Sequence, residues 1–424
     1  MKNSDIKKHA FILLMLMSGL YFISFFQRVA VPGTIFNEIQ RDFAASASAV
    51  TALSSIYLYV YAGMQLFVGM MADRHGGIRV ILVSGCFLCL GSLIFPLSGQ
   101  IWTLYLSRAL VGFGASGMYL CIIKETDSFF GGKNFAPMIG FFCMIGYGGG
   151  LCGTRPFRMM VDWTGWRTSL LLVGIFAVIL LIMTYFTGRK LKDRHIMPHG
   201  HSLFKRTGQV IINRRIYPVL ISGMINFSIY FSMQATIGPK FIGDFLKLEP
   251  KQAAEYTFIM MIFTMSTMLT VGVFSRMIGN RRKPFLILAS LLTLIAVTIL
   301  LAGVIFRFSS GYFMMAFILM SISSGLFPVI TSLVKELNAP DITALSIGVQ
   351  NTMSYIAVAF AANMIGFILD FFRSGAVLTS NALVYPPRAY LTVFAIMFFC
   401  SLISFISSLH CWETRGECIY GRTP

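Results

Sequence analysis

Apolar runs of about 20 residues recur along nearly the whole chain, separated by short stretches that carry most of its charge. At roughly 1.5 Å of rise per residue, a helix of about 20 residues crosses the hydrocarbon core of a bilayer. The runs fall at about 10–32, 48–72, 78–98, 102–123, 136–156 and 167–188, then 216–238, 253–275, 284–305, 311–334, 343–369 and 389–409. They predict about twelve transmembrane helices and hence an all-α membrane protein, the even number of crossings leaving both termini on one side. The first run, from Ala10 to about Val31, is longer than the apolar core of a signal peptide and lacks a cleavage site. It is read as a mature span.

One long polar stretch, Arg189 to Arg215, interrupts the runs near the midpoint. It predicts a basic cytoplasmic linker at 189–215 between an N-terminal six-helix bundle at 1–188 and a C-terminal bundle with a short tail at 216–424. The two halves echo each other. Gly69-Met-Met-Ala-Asp73-Arg74-His-Gly76-Gly77-Ile-Arg79 returns in degraded form as Gly272-Val-Phe-Ser-Arg276-Met-Ile-Gly279-Asn-Arg281-Arg282. Lys124-Glu125 closes the fourth run and Lys335-Glu336 the tenth, after the interior glycines Gly114 and Gly325. Gly140 to Asp162 has the spacing of Gly348 to Asp370. Together these matches indicate an internal duplication, and a charged turn used twice suits two related halves that move against each other.

Composition narrows the function. Of 424 residues 56% are hydrophobic and 12% charged, with a mean hydropathy of +0.76, which no soluble domain of this size could bury. The net charge of +18 does not indicate nucleic-acid binding, because the basic residues are spread among the loops. With the amino terminus in the cytoplasm, about 22 of the 34 Lys and Arg lie on cytoplasmic segments and about 9 outside. Cytoplasmic termini and a location in the cell membrane follow.

Several motifs carry no chemistry. Six cysteines lie inside apolar runs and two in the tail, and Cys86 and Cys89 read as small apolar fillers. His195, His199 and His201 have no Cys or acid nearby to complete a metal site. The run Gly146-Tyr-Gly148-Gly149-Gly150-Leu-Cys-Gly153 lacks the Lys-Ser/Thr of a phosphate loop and suits close helix packing. No nucleophile–base pair or metal-ligand set occurs within one span. The sequence therefore calls for no enzyme, no metal and no cofactor.

The turn from Gly69 to Arg79 resembles the G-x-x-x-D-R-x-G-x-R type motif of the major facilitator superfamily, with Gly69, Asp73, Arg74, Gly76 and Arg79 in register and Gly77 where many members have a basic residue. Arg108-Ala-Leu-Val-Gly112 is similar to the family's fourth-helix R-x-x-x-G motif, and Asp162-Trp-Thr-Gly165-Trp166-Arg167 to its G-W-R turn. The resemblance implies two six-helix bundles, a substrate cavity and alternating access, with these residues in conformational or coupling roles. Physically, Asp73 can accept hydrogen bonds from a facing helix terminus and act as a latch that breaks when one side opens.

Arginines are the charges within the spans: Arg28, Arg108 and Arg155. A guanidinium there costs about 2.5–3.5 kcal/mol on insertion scales, so it has a task. Tyr21, Phe25 and Arg28 follow an i, i+4, i+7 spacing and share a helix face. A fixed positive charge among aromatics suits a carboxylate, phosphate or sulfonate. The stretch also resembles the first helix of the superfamily's organic-anion and organophosphate carriers, which implies substrate contact by Tyr21 and Arg28. Helical spacing adds Tyr57, Tyr61 and Gln65, then Asn226, Tyr230 and Gln234, with Gln350 and Asn351, as lining candidates. No carboxylate stands in mid-span on this reading.

The expected protein is a monomeric secondary transporter of a small anionic molecule in the lipid bilayer, by symport or exchange. A co-transported proton or cation is an open partner. A drug or metabolite exporter and a carrier-fold sensor without flux are the alternatives.

Overall fold

The computed structural model describes residues 3–130, 135–189, 191, 210, 212–339, 343–379 and 382–419, whose regular elements are helices and one two-stranded ribbon. Eleven described segments are long and apolar enough to cross a bilayer, and Gly140–Cys152 adds a shorter apolar helix. The protein is thus a multi-pass all-α membrane protein. It divides into two compact units, Met1–Ala45 with Ala49–Gly200 and Ser46–Ser48 with His201–Pro424. Most of the stretch 189–215, including the three linker histidines, lies outside the described residues.

The first unit contains α1 (Asn3–Ala30), α2 (Phe36–Asp42), α3 (Ala47–His75, its first two residues belonging to the second unit), α4 (Gly77–Leu97), α5 (Ile101–Phe130), α6 (Phe135–Cys152), α7 (Arg155–Thr164) and α8 (Trp166–Gly188). Small residues decide how its helices meet. A Cβ on Gly149 of α6 would collide with the carbonyl of Phe22, and one on Gly153 would lie 3.0 Å from the carbonyl of Phe26. The glycine-rich run therefore brings the backbone of α6 against α1, as the small-residue rule for lipid-embedded helices requires.

The second unit contains α9 (Tyr217–Ser232), α10 (Gly238–Leu246), α11 (Pro250–Met277), α12 (Lys283–Phe306), α13 (Ser310–Gly325), α14 (Phe327–Leu337), α15 (Thr343–Phe371) and α16 (Pro387–Leu409). A ribbon pairs Val377 with Val384 and Leu378 with Leu383 before α16. Two of its spans are interrupted. The span Arg214–Leu246 opens into a π-turn at Met233–Ile237, between α9 and α10. Pro239 has no N–H to donate and its ring crowds the carbonyl four residues earlier, so the helix widens before resuming. The sequence reading ended this span at 238. The correction is that the proline displaces the helix instead of ending it. The span Ser310–Leu337 breaks at Leu326, where Pro328 opens α14.

A core of Leu220, Leu286, Ile330, Leu333 and Val334 fills one end of the second unit, and Cys411 from the tail inserts into it.

Candidate functional site

Arg28 ends α1 with its side chain buried, 2% exposed. Its Nε donates to the Tyr57 hydroxyl at 3.1 Å. The guanidinium carbon lies 4.4 Å from the Tyr61 ring centre, 4.7 Å from Phe25 and 5.7 Å from Tyr57. Cation–π contacts are worth about 0.5–2 kcal/mol each, so three of them match the roughly 2.5–3.5 kcal/mol cost of a guanidinium in a span. These neutral groups stabilise the cation without cancelling its charge. Tyr21 continues the same face, edge-on to Phe25 at 5.7 Å and stacked on Tyr119 at 5.9 Å. Phe25, Tyr57 and Tyr61 thus surround Arg28, with Tyr21 joined to it through Phe25. Gln65 is buried one turn beyond Tyr61.

Arg108 has a different task. Its Nε donates to the Leu53 carbonyl at 3.1 Å, Nη1 to Gln27 at 3.0 Å and Nη2 to Val31 at 3.3 Å, while its guanidinium sits 4.5 Å over Tyr57. It thereby ties the end of α1 to α3 and fixes the tyrosine that holds Arg28. Gly112, one turn on, lies so close to α3 that a Cβ would be 2.5 Å from the Tyr57 carbonyl. The R-x-x-x-G spacing is a two-point clamp of α5 on α3.

In the Gly69–Arg79 turn, Gly76 has φ +88°, and its counterpart Gly279 has φ +70°. Glycine recurs at this point because both turns use a backbone conformation that other residues avoid. Gly77 donates its N–H to Glu125 Oε1 at 2.8 Å, and a Cβ there would lie 2.5 Å from the same oxygen. A basic side chain would not fit, which explains the departure from the family pattern. Arg74 and Arg79 are exposed, and the side chain of Asp73 lies outside the described residues. In the second unit Arg282 Nε reaches Glu336 Oε1 at 3.2 Å. Each turn thus meets the glutamate of its own Lys-Glu pair. Sequence reading had both pairs in hand and missed their partners.

Asp162 accepts from Arg158 Nη2 at 2.6 Å, and Arg158 Nη1 reaches Glu38 at 2.5 Å. Burial alone would lower the pKa of Arg158, but the two carboxylates more than reverse this and hold it above its ordinary value. Arg167 Nη1 donates to the carbonyls of Pro96 and Ser98 at 2.9 and 2.7 Å, finishing α4. Both residues fasten the ends of helices within the first unit.

The second-unit candidates separate into two kinds. Asn226 is a bridge: Nδ2 donates to Ser290 at 3.0 Å and Oδ1 accepts from Ser404 at 2.7 Å, joining α9 to α12 and α16. Tyr230 likewise accepts from Thr264 of α11 at 3.0 Å. The polar atoms of both residues are thus engaged by neighbouring helices. Gln350 is buried with both amide atoms lacking a hydrogen-bond partner, as is Gln234 at Nε2. Asn351 is half-buried.

One buried ion pair escaped the sequence reading. Lys240 and Asp244, an i, i+4 pair on α10, meet at 2.7 Å with side chains 0% and 4% exposed. Asp244 Oδ2 also accepts from the Tyr385 N–H at 3.0 Å and the Tyr390 hydroxyl at 2.6 Å. Asp244 is thus a buried carboxylate near the end of the span Arg214–Leu246, and it was not among the sequence candidates. The signal was the four-residue spacing, hidden because the span seemed to end at 238. Among the described residues no group of three His, Cys, Asp or Glu could hold a metal.

Residues 17–362 match the family model described as Major Facilitator Superfamily. The uncharacterized transporter YybO of Bacillus subtilis (strain 168) is 24% identical over 278 residues, covering 61% of this chain and 62% of that protein. Monocarboxylate transporter 2 of Mesocricetus auratus is 29% identical over 37% of this chain and 33% of its own length. The probable sulfoacetate transporter SauU of Cupriavidus necator is 22% identical over 42% and 41%. The chain therefore spans less than two thirds of each of these relatives. A crystal structure of a bacterial homolog of the human lysosomal transporter Spinster, inward-facing and unoccupied, superposes with a TM-score of 0.76 at 15% identity, covering 95% of this chain and 97% of that one. That likeness concerns the fold.

Proposed function

Because this chain belongs to the Major Facilitator Superfamily, we propose that it is a secondary carrier for a small organic anion, working by alternating access in the cell membrane with both termini cytoplasmic. The observation that carries the reading is Arg28, a buried guanidinium held by Phe25, Tyr57 and Tyr61 and by a phenol hydrogen bond. A guanidinium presents parallel N–H donors that match a carboxylate, phosphate or sulfonate, and burial strengthens that attraction. Two partial relatives, a monocarboxylate transporter and a probable sulfoacetate transporter, bear names of carriers for anions of this size. Uptake by symport or exchange follows from the same charge, since an anion entering a cell at negative potential needs a counterbalancing ion.

Arg108 and Gly112 are positioning residues in this scheme. The turns at Gly76 and Gly279, with Glu125 and Glu336, are the parts that would change during the transport cycle, together with Asp73. The test is uptake by proteoliposomes of a panel of labelled carboxylates, sulfonates and phosphates. Saturable uptake of an anion that Arg28→Gln abolishes is the expected result. Export of cationic dyes with no anion flux would remove the proposal, and binding without counterflow would leave a sensor.

A further inference from the structure

An apolar groove in the second unit has no place in the transport reading. It lies between α15 and α16, which touch sparsely along their length. A cavity of about 520 Å³ stands toward the ribbon, lined by Phe367, Phe371, Phe372 and Thr392. A second of about 190 Å³ continues from it, sharing Phe360, Met364 and Ile396, and reaches Ser232 of α9. Both lie along segments long and apolar enough to cross a bilayer, Ser346–Phe371 and Pro387–Leu409. From Thr392 to Cys400 the groove follows about 12 Å of α16, close to the depth of one leaflet in a core of roughly 30 Å.

The ribbon end of the groove is basic. Arg373 follows Phe372, and Arg388 stands one turn before Thr392, whose hydroxyl donates to the Arg388 carbonyl at 3.0 Å. A Cβ on Gly375 would lie 3.5 Å from Pro386 Cγ, so the end of α15 and the start of α16 converge and carry both arginines to one rim. Both side chains are exposed, and no ion pair engages either among the described residues. Asp370, the acid one turn earlier on α15, already accepts backbone N–H groups from Ala47 and Ser48 at 2.7 and 2.9 Å.

We propose that this groove is a binding site for an anionic phospholipid, its acyl chain between α15 and α16 and its phosphate at Arg373 and Arg388. The slot is apolar over one leaflet's depth, so it selects a hydrocarbon chain. Two guanidiniums at the end of the spans, where a headgroup lies, select a negative one. A free phosphate would meet the arginines but leave the slot unfilled.

Native mass spectrometry of the detergent-purified protein with phosphatidylglycerol or phosphatidylcholine tests this. One phosphatidylglycerol should be retained in preference to phosphatidylcholine, and inorganic phosphate should neither compete nor raise the melting temperature. The double variant Arg373→Gln/Arg388→Gln should weaken phosphatidylglycerol retention by about 30-fold, the combined effect expected of two basic residues at a membrane surface. Ala361→Phe, which fills the groove, should lose both lipids. A photoactivatable acyl chain should label peptides containing Phe360 and Phe367 in the unmodified protein, so the result does not depend on either variant folding. Unchanged retention in the double arginine variant, equal binding of the two lipids, or labelling elsewhere would overturn the assignment.

Discussion

The two units solve the same problem, polar chemistry inside a bilayer, in opposite ways. The first keeps α1 and α5 whole and buries arginines in them. The second opens one span into a π-turn and breaks another at Leu326, and buries amides and hydroxyls such as Gln350 and Ser354. A buried guanidinium needs a frame that does not move: Arg108 is held by three carbonyls from two segments, Arg28 by three rings. Neutral groups tolerate a change of partner at smaller cost. Gln350, with neither amide atom hydrogen-bonded, fits a surface that finds its partners from a substrate or in another state of the cycle. The most deeply buried charged pair among the described residues of the second unit, Lys240 with Asp244, is neutralised internally and bonded further to Leu383, Tyr385 and Tyr390.

If the first unit is the rigid one, filling its closest helix contact should have the largest effect. Gly149→Val would drive a side chain into the Phe22 carbonyl, and the expectation is no monodisperse protein on size-exclusion chromatography, a loss beyond about 4 kcal/mol. Next comes the charge itself. Arg28→Gln should lower anion uptake by about 100-fold or more while the melting temperature moves little, since truncating one partner of a buried charge pair costs roughly 2–5 kcal/mol. Gln350→Leu should cost about 10-fold or less. If the order is reversed, the second unit holds the anchor and the comparison fails.

The ion pair on α10 is read in stability and not in uptake, and its effect has a distinctive sign. Asp244→Asn leaves Lys240 buried without its carboxylate and should destabilise the protein by about 3–5 kcal/mol in thermal unfolding. Lys240→Met/Asp244→Leu should recover most of that loss, because removing both charges also removes the desolvation penalty. A double variant no more stable than the single one would show that the pair does more than close the span.

The architecture was legible because its signals are local. Runs of about 20 apolar residues, a repeated charged turn and a polar midpoint are visible without knowledge of any contact. The face shared by Tyr21, Phe25 and Arg28 was legible for the same reason. What stayed hidden was partnership. Asn226 and Gln350 look alike in a span, and only packing shows that one bridges serines on α12 and α16 while the other is left unbonded. Arg28 and Arg108 differ likewise: helix spacing cannot tell an arginine framed by rings from one that holds three carbonyls. Lys240 and Asp244 were lost to a boundary, because Pro239 reads as a helix end unless a π-turn is anticipated.

The smallest expected effect separates the units at the Lys-Glu pairs. Glu125 takes a backbone N–H from Gly77, whereas Glu336 takes Arg282 and also the hydroxyl of Thr414 in the tail. The tail is anchored further by the Ile419 N–H to the Glu336 carbonyl at 2.9 Å and by Arg215 over Trp412 at 4.7 Å. Just before these anchors Cys411 is buried in the core, and burial, more than its charged neighbours, pushes its thiol up to about 12. Only the thiolate reacts with maleimide. Near pH 8 Cys411 should therefore label about 1,000-fold more slowly than an ordinary exposed thiol of pKa about 8.5–9, and its rate should still rise about tenfold per pH unit where the exposed thiol has levelled off. A small exposed thiol added to the same reaction provides the reference. Thr414→Val should free the strap by about 1 kcal/mol and raise Cys411 labelling roughly fivefold, leaving anion uptake unchanged. If the variant instead alters uptake as strongly as labelling, the tail belongs to the working parts of the second unit and is not merely its seal.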